Sequence, residues 1–166
     1  MIRPGSEPYM GESMMRYQIV AYDAKYHERL VDIWLRAVRL THKFLTEEDI
    51  EFYHMIVRNE ALRAVEVWIP LNEDGNPLGF IGLDGTNIEM LFVDPDNHGQ
   101  GIGSRLIKHA ESLKGSHLRV DVNEQNEGAI IFYQGYGFVQ IGRSELDGTG
   151  RPFPLLHLEL KIDPFA

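Results

Sequence analysis

The most constraining stretch of the chain is residues 88–104, Ile88-Glu89-Met90-Leu91-Phe92-Val93-Asp94-Pro95-Asp96-Asn97-His98-Gly99-Gln100-Gly101-Ile102-Gly103-Ser104. An apolar, β-favouring run stops at Asp94-Pro95, because proline has no N–H to give to a ladder. A short polar loop follows, then Gly99, Gly101 and Gly103 at alternate positions. From about residue 101 to 114, Ile102, Leu106, Ile107, Ala110 and Leu113 recur at mostly three- and four-residue steps, which predicts a helix with one apolar face. Strand, glycine turn and helix start together aim unpaired backbone N–H groups and the positive end of a helix dipole at one spot. Glycine lets a ligand reach the backbone with no side chain in the way, and such a spot suits a phosphate or pyrophosphate. A tight β-to-α turn with no ligand fits the same residues. No Gly-Lys-Ser/Thr follows, so this is not a P-loop, and the last glycine comes too soon for a dinucleotide fingerprint.

A second constellation bears on that choice. Asn123-Glu124-Gln125-Asn126-Glu127-Gly128-Ala129-Ile130-Ile131-Phe132-Tyr133 is closed by Gly135-Tyr136-Gly137-Phe138. Together with the glycine loop it resembles the GNAT superfamily of N-acetyltransferases, which use acetyl-coenzyme A. The family's pyrophosphate loop reads Gln/Arg-x-x-Gly-x-Gly/Ala, and His98-Gly99-Gln100-Gly101-Ile102-Gly103 fits it apart from the first position. The family's later motif, Asn-x-x-Ala-x-x-Phe-Tyr with Gly-Phe beyond, is met by Asn126, Ala129, Phe132, Tyr133, Gly137 and Phe138. The match covers about residues 79–143.

The rest of the chain orders itself around these two motifs. Residues 1–14 read as a leader or expression remnant, with Met14-Met15 a plausible start, and 15–166 as a single acetyltransferase domain. Arg16 to Tyr22 alternates as a first strand, and Asp23 caps a helix whose core stripe is Leu30, Ile33, Trp34, Ala37 and Val38. Thr46 caps a second helix carrying Ile50, Tyr53, His54, Ile56 and Val57. Strands follow at 64–69, ended by Pro70, at 78–83, and in the central run. After the glycine-loop helix, capped by Gly115, come a strand at 118–122, a helix at 126–134 ended by Gly135, and a hairpin of 138–142 with 155–162. The resemblance implies an α/β sandwich: a mixed, mostly antiparallel sheet flanked by helices, with a V-shaped splay between two central strands where the pantetheine arm enters.

Charge and composition narrow the class. A formal charge of −9 argues against a nucleic-acid binder and favours cationic partners such as amines. With no cysteine, disulfides, thiolate metal sites and an acyl-cysteine intermediate are all excluded. No apolar run approaches the roughly 18 residues of a membrane span, and residues 1–6 lack the apolar core of a signal peptide. The expectation is a cytoplasmic monomer or homodimer without a metal, its histidines showing no ligand spacing.

The resemblance assigns roles residue by residue. Tyr133 stands where the family places the general acid, and Glu89, on the central strand, where it often supplies a base. Strict alternation puts Glu89, Leu91 and Val93 on one face and Met90 and Phe92 on the other. Leu91, Phe92 and Val93 would offer backbone groups to the thioester and pantetheine, and His98, Gly99, Gln100, Gly101, Ile102, Gly103 and Ser104 would cradle the pyrophosphate. Asn126, with Asn123, Ala129 and Phe132, would meet the pantetheine arm, though Asn123 could equally cap the helix. Trp34, His42 and Phe44 fall where the family builds its acceptor wall. The function implied is transfer of an acetyl group to a primary amine, of a small molecule or of a peptide or protein, by direct attack in a ternary complex. A catalytically silent module that binds acyl-coenzyme A is the alternative.

Overall fold

The computed structural model describes residues 17–161. The expected leader lies outside them, as do Arg16 and Ile162 at the ends of two predicted strands. Elements follow in the predicted order: β1 (Gln18–Ala21), α1 (His27–Thr41), α2 (Glu47–Ile56), β2 (Glu66–Leu71), β3 (Gly79–Asp84), β4 (Asn87–Val93), α3 (Ile102–Lys114), β5 (Arg119–Asn123), α4 (Glu127–Tyr136), β6 (Phe138–Ser144) and β7 (Leu155–Leu160). Local chemistry explains the helix starts. Asp23 caps a short 3-10 turn that leads into α1, and Thr46 forms a reciprocal capping box with Asp49 at α2. The α1 stripe of Leu30, Ile33, Trp34, Ala37 and Val38 is buried throughout. In α3 the stripe is buried as far as Ala110, while Leu113, in the last turn, is exposed.

Three of the differences from expectation have a clear physical cause. Helix α2 runs on through a π turn at Val57–Ala61 to Ala64, so the next strand begins at Glu66. Buried His27 anchors that turn: its Nε2–H donates to the Arg58 carbonyl at 2.8 Å and its Nδ1 accepts from the Tyr22 hydroxyl at 2.7 Å. Pro70 lies inside β2 rather than ending it. The Tyr22 N–H bond to the Val67 carbonyl sets the alternation, which places Pro70 opposite Ile19 at a pair that exchanges no hydrogen bonds. On its other side, β2 pairs with β3 only as far as Trp68, so Pro70 is asked for no N–H. Helix α4 continues through Gly135 and stops at Gly137, whose φ of +126° no other residue type adopts readily.

The seven strands form one sheet in the order β1-β2-β3-β4-β5-β7-β6. Every neighbouring pair is antiparallel except β4 and β5. Those two pair only at Asn87–Arg119 and Ile88–Val120 among the described residues, and beyond that point the strands part. A bulge accompanies the parting. Gly82 faces Met90 and Leu83 faces Ile88, leaving Glu89 without a partner on β3. A bulge bends its strand and raises its twist, which opens the sheet here. It also overturns the strict alternation expected for Glu89. Ile88, Leu91 and Val93 pack into one core and Met90 and Phe92 into the other, so the face switches at the extra residue.

Two cores sandwich the sheet. Helices α1 and α2 cover β2 and β3 through Leu30, Val31, Trp34, Val67, Ile69 and Phe80. Helices α3 and α4 cover the opposite face through Ile102, Leu106, Ile107, Tyr133 and the inward residues of β5 and β7. Each fully buried aliphatic side chain contributes roughly 1.5–3 kcal/mol. The core under α3 and α4 spans both sides of the split, and the core under α1 and α2 covers the β1–β4 side alone.

Candidate active site

The glycine loop is built from the end of β4. Asp94 accepts from Asp96 N–H at 2.9 Å to cap the turn Pro95–Asn97, and Arg36 of α1 grips both its oxygens at 2.9 and 2.7 Å. The guanidinium holds the Asp94 carboxyl below the usual carboxylate range. Gly99 and Gly101 then take left-handed φ values of +78° and +79°. Gly101 occupies the N-cap of α3 without a capping side chain, and no atom lies within 4 Å of where its Cβ would stand. The first N–H groups of α3 therefore face an open space, the arrangement an anion requires. Gly103 is small for another reason: a Cβ there would sit 3.1 Å from the Phe132 ring.

This loop forms one wall of a cleft of about 570 Å³. Leu91, Phe92 and Val93 supply the β4 wall, and Asn126, Ala129, Phe132 and Tyr133 the α4 wall. His98, Gly99, Gly101, Ile102, Gly103 and Ser104 all border it. Gln100 does not, and its amide oxygen lies 3.4 Å from Asn97 Nδ2 instead. The His98 ring folds back so that Nε2–H donates to the Val93 carbonyl at 2.9 Å. Of the two asparagines it is Asn126 that caps α4, accepting from Ala129 N–H at 3.1 Å, while Asn123 borders the neighbouring cavities.

A notch of about 170 Å³ occupies the split between β4 and β5 and adjoins that cleft. Tyr133 borders both. Its ring is 7% exposed and meets Phe132 and Phe138 edge-on, at centroid distances of 5.1 and 5.3 Å. Its hydroxyl bonds to no described residue, and burial pushes its pKa up, so the proton stays on. Glu89, at the bulge, borders the notch too. Burial raises its pKa, with Asp84 and Asp121 adding repulsion. No described residue pairs with its carboxylate.

Beyond the notch lies a second pocket of about 340 Å³. Trp34, His42, Tyr53, Phe92 and Phe153 give it aromatic walls, and Glu89, Asp121 and Asp147 bring carboxylates to it. Two of those carboxylates are already engaged. Asp121 accepts from His157 Nδ1 at 2.6 Å, and His157 Nε2 lies 2.6 Å from Ser144 Oγ. Asp147 accepts from the Tyr53 hydroxyl, from Thr149 Oγ1 at 2.7 Å and from Arg151 N–H at 3.0 Å. Burial pushes Asp147 up, but those hydrogen bonds outweigh it and its pKa falls. Glu89 alone of the three is left free among the described residues. Burial drives His42 down to about 4, so its imidazole is neutral near pH 7.

Trp34 and His42, two of the residues expected at an acceptor wall, line this pocket, Trp34 stacking on His54 at 6.0 Å and 9°. Phe44 does not line it. It backs His42 at 5.4 Å and Phe153 at 5.8 Å. Sequence reading missed Tyr53, Asp121, Asp147, Thr149 and Phe153 as wall residues. One signal was available: Asp121 sits between buried Val120 and Val122, so alternation turns it away from the core.

Residues 41–154 match the sequence profile of the acetyltransferase (GNAT) domain. The peptidyl-lysine N-acetyltransferase YjaB of Escherichia coli (strain K12) is 44% identical over 131 residues, 79% of this chain and 88% of YjaB. The solution structure of apo-form YjaB from Escherichia coli superposes with a TM-score of 0.81 at 41% identity, covering 87% of this chain and 97% of that one. The fold is shared with the PaiA N-acetyltransferase of Thermoplasma acidophilum, solved in complex with coenzyme A, at a TM-score of 0.72 and 21% identity over 89% and 100% of the two chains.

Proposed function

The chain belongs to the GNAT family of N-acetyltransferases, and from that premise we propose that it moves an acetyl group from acetyl-coenzyme A to the side-chain amine of a lysine in a peptide or protein. The observation that carries this reading is the notch. A pocket with aromatic walls and one free carboxylate meets a glycine-loop cleft there, beside a tyrosine hydroxyl with no partner among the described residues. The cleft fits the cosubstrate: N–H groups at the start of α3 suit the pyrophosphate, and β4 and α4 flank a channel for the pantetheine. Bound there, acetyl-coenzyme A supplies an activated acyl group and a thiolate leaving group. The acceptor pocket suits lysine, whose alkyl stem can lie along Trp34 and Phe92 while its ammonium meets Glu89. YjaB, named a peptidyl-lysine acetyltransferase, supports the choice of amine.

Each residue has one task. Glu89, its pKa raised by burial, takes a proton from the ammonium, later yields it to water, and leaves a nucleophilic nitrogen. That nitrogen forms the C–N bond as the C–S bond breaks, and the Tyr133 hydroxyl gives its proton to the departing sulfur. The amide nitrogen sheds its surplus proton to water, from which Tyr133 is restored. Tyr133 suits this task because burial keeps it protonated.

The test is a panel of lysine peptides, blocked lysine amides, polyamines and aromatic amines with acetyl-coenzyme A, read by free-thiol release and product mass. Acetylated lysine peptides are the expected result. Cofactor binding with no amine acetylated would make the chain a silent acyl-coenzyme A module. Acetylation of small amines alone would move the acceptor class away from peptides.

A further inference from the structure

The Thr41–His42 pair at the end of α1 determines where protons sit at the acceptor site. The Thr41 hydroxyl has a single hydrogen. Its oxygen lies 2.8 Å from the Ala37 carbonyl and 2.8 Å from His42 Nδ1. A carbonyl can only accept, so the hydroxyl hydrogen is committed to Ala37. The Nδ1 contact is then a hydrogen bond only if Nδ1 carries the proton and donates to Thr41 Oγ1. The imidazole is neutral near pH 7, so its other nitrogen is bare. No described residue hydrogen-bonds Nε2. The His42 backbone is held by its own N–H on the Val38 carbonyl at 2.8 Å, and its ring lies against the Phe44 ring.

Location gives that lone pair a use. Among the described residues only His42 and Phe92 border the acceptor pocket, the notch and the cofactor cleft alike, and of these two side chains only the imidazole can hydrogen-bond. We propose that His42 is held by Thr41 in the tautomer protonated at Nδ1, and that its Nε2 lone pair accepts an N–H of the substrate amine and aims the attacking nitrogen at the acyl carbon. This rests on the lysine-acetylation reading above. Glu89 takes the ammonium proton. His42 takes none: it holds one remaining N–H by a hydrogen bond, so the nitrogen lone pair has one direction left to face. Thr41 is a positioning residue and acts through His42.

The experiment uses the whole protein, a lysine peptide identified by the panel, and the variants Thr41→Val, Thr41→Ser and His42→Gln. A long-range proton–nitrogen spectrum of the wild-type imidazoles should show His42 neutral with its proton on Nδ1. Thr41→Val should lose that pattern and roughly tenfold or more in kcat/KM for the peptide. Its Kd for acetyl-coenzyme A and its melting temperature should stay close to wild type. Thr41→Ser, which keeps the hydroxyl, should retain both tautomer and rate, and Thr41→Val should add nothing in the His42→Gln background. A wild-type proton on Nε2, or wild-type turnover by a folded Thr41→Val, would overturn the proposal. A wild-type protein that acetylates no lysine peptide would overturn the acetylation reading itself, and the amine contact with it, whatever the tautomer.

Discussion

Tyr133 borders both the notch and the cleft, and its hydroxyl has no hydrogen-bond partner among the described residues. Tyr133→Phe keeps both edge-on ring contacts and removes only the proton donor. Turnover should fall on the order of 10²-fold or more while the Kd for acetyl-coenzyme A and the melting temperature barely change. A variant that turned over at the wild-type rate would reduce Tyr133 to packing. Glu89 gives a prediction with a sign. The folded state holds its proton more tightly than the unfolded chain does, so ionisation near neutral pH works against folding. Glu89→Gln should therefore melt slightly higher than wild type at pH 7, and the gap should close as pH falls through the folded pKa. Activity runs the other way. Wild-type kcat/KM should fall with acidity at a pH above the ordinary carboxylate range, and Glu89→Gln should lose that limb along with about 10²-fold or more in rate. An acid limb that survives in Glu89→Gln would assign the base to another group.

At the scale of elements, the glycine loop, α4 and the β6–β7 connection each carry a separable task. Gly103 is small for the sake of α3–α4 packing, since a Cβ would press on Phe132. Gly103→Val should thus lower the melting temperature as well as weaken the cofactor. Gly101→Ala isolates the loop, because open space surrounds the site and only the left-handed φ is penalised, by about 1–2 kcal/mol. Adding coenzyme A should raise the wild-type melting temperature with concentration and raise that of Gly101→Ala less. Equal shifts would remove this turn from cofactor binding. The connection between β6 and β7 is tied to α2 by the Tyr53 hydroxyl on Asp147 and by Arg151, which reaches Asp49 at 2.8 Å and lies 3.8 Å over Phe52. Asp147→Ala removes the Tyr53 bond to α2 and three hydrogen bonds that shape the connection itself. The KM for the acceptor should rise while the Kd for acetyl-coenzyme A stays put. Unchanged acceptor kinetics would make the tie a matter of stability alone.

For the molecule as a whole, the site exists because one sheet comes apart. Two antiparallel halves share two residue pairs between β4 and β5, and the gap beyond them joins the glycine-loop cleft to the aromatic pocket. The sequence by itself determined what depends on neighbours along the chain. Proline and glycine punctuation, caps at Asp23 and Thr46, the apolar stripes of α1 and α3, and the Asn126–Tyr133 motif act over a few residues, so order of elements, glycine turn and buried tyrosine could all be read. The tertiary structure alone decided what depends on distant partners. Glu89 carries no glycine or proline to mark a bulge, and its displacement from the Leu91 face follows from how β3 registers against β4. Pro70 is tolerated inside a strand because neither neighbour needs its N–H. The acceptor pocket gathers α1, α2, β4, β5 and the β6–β7 connection, and which carboxylate stays free depends on whether Tyr53 and His157 reach the other two. Those contacts span up to 94 residues of chain, and a pattern with a period of two or 3.6 residues holds no information at that range.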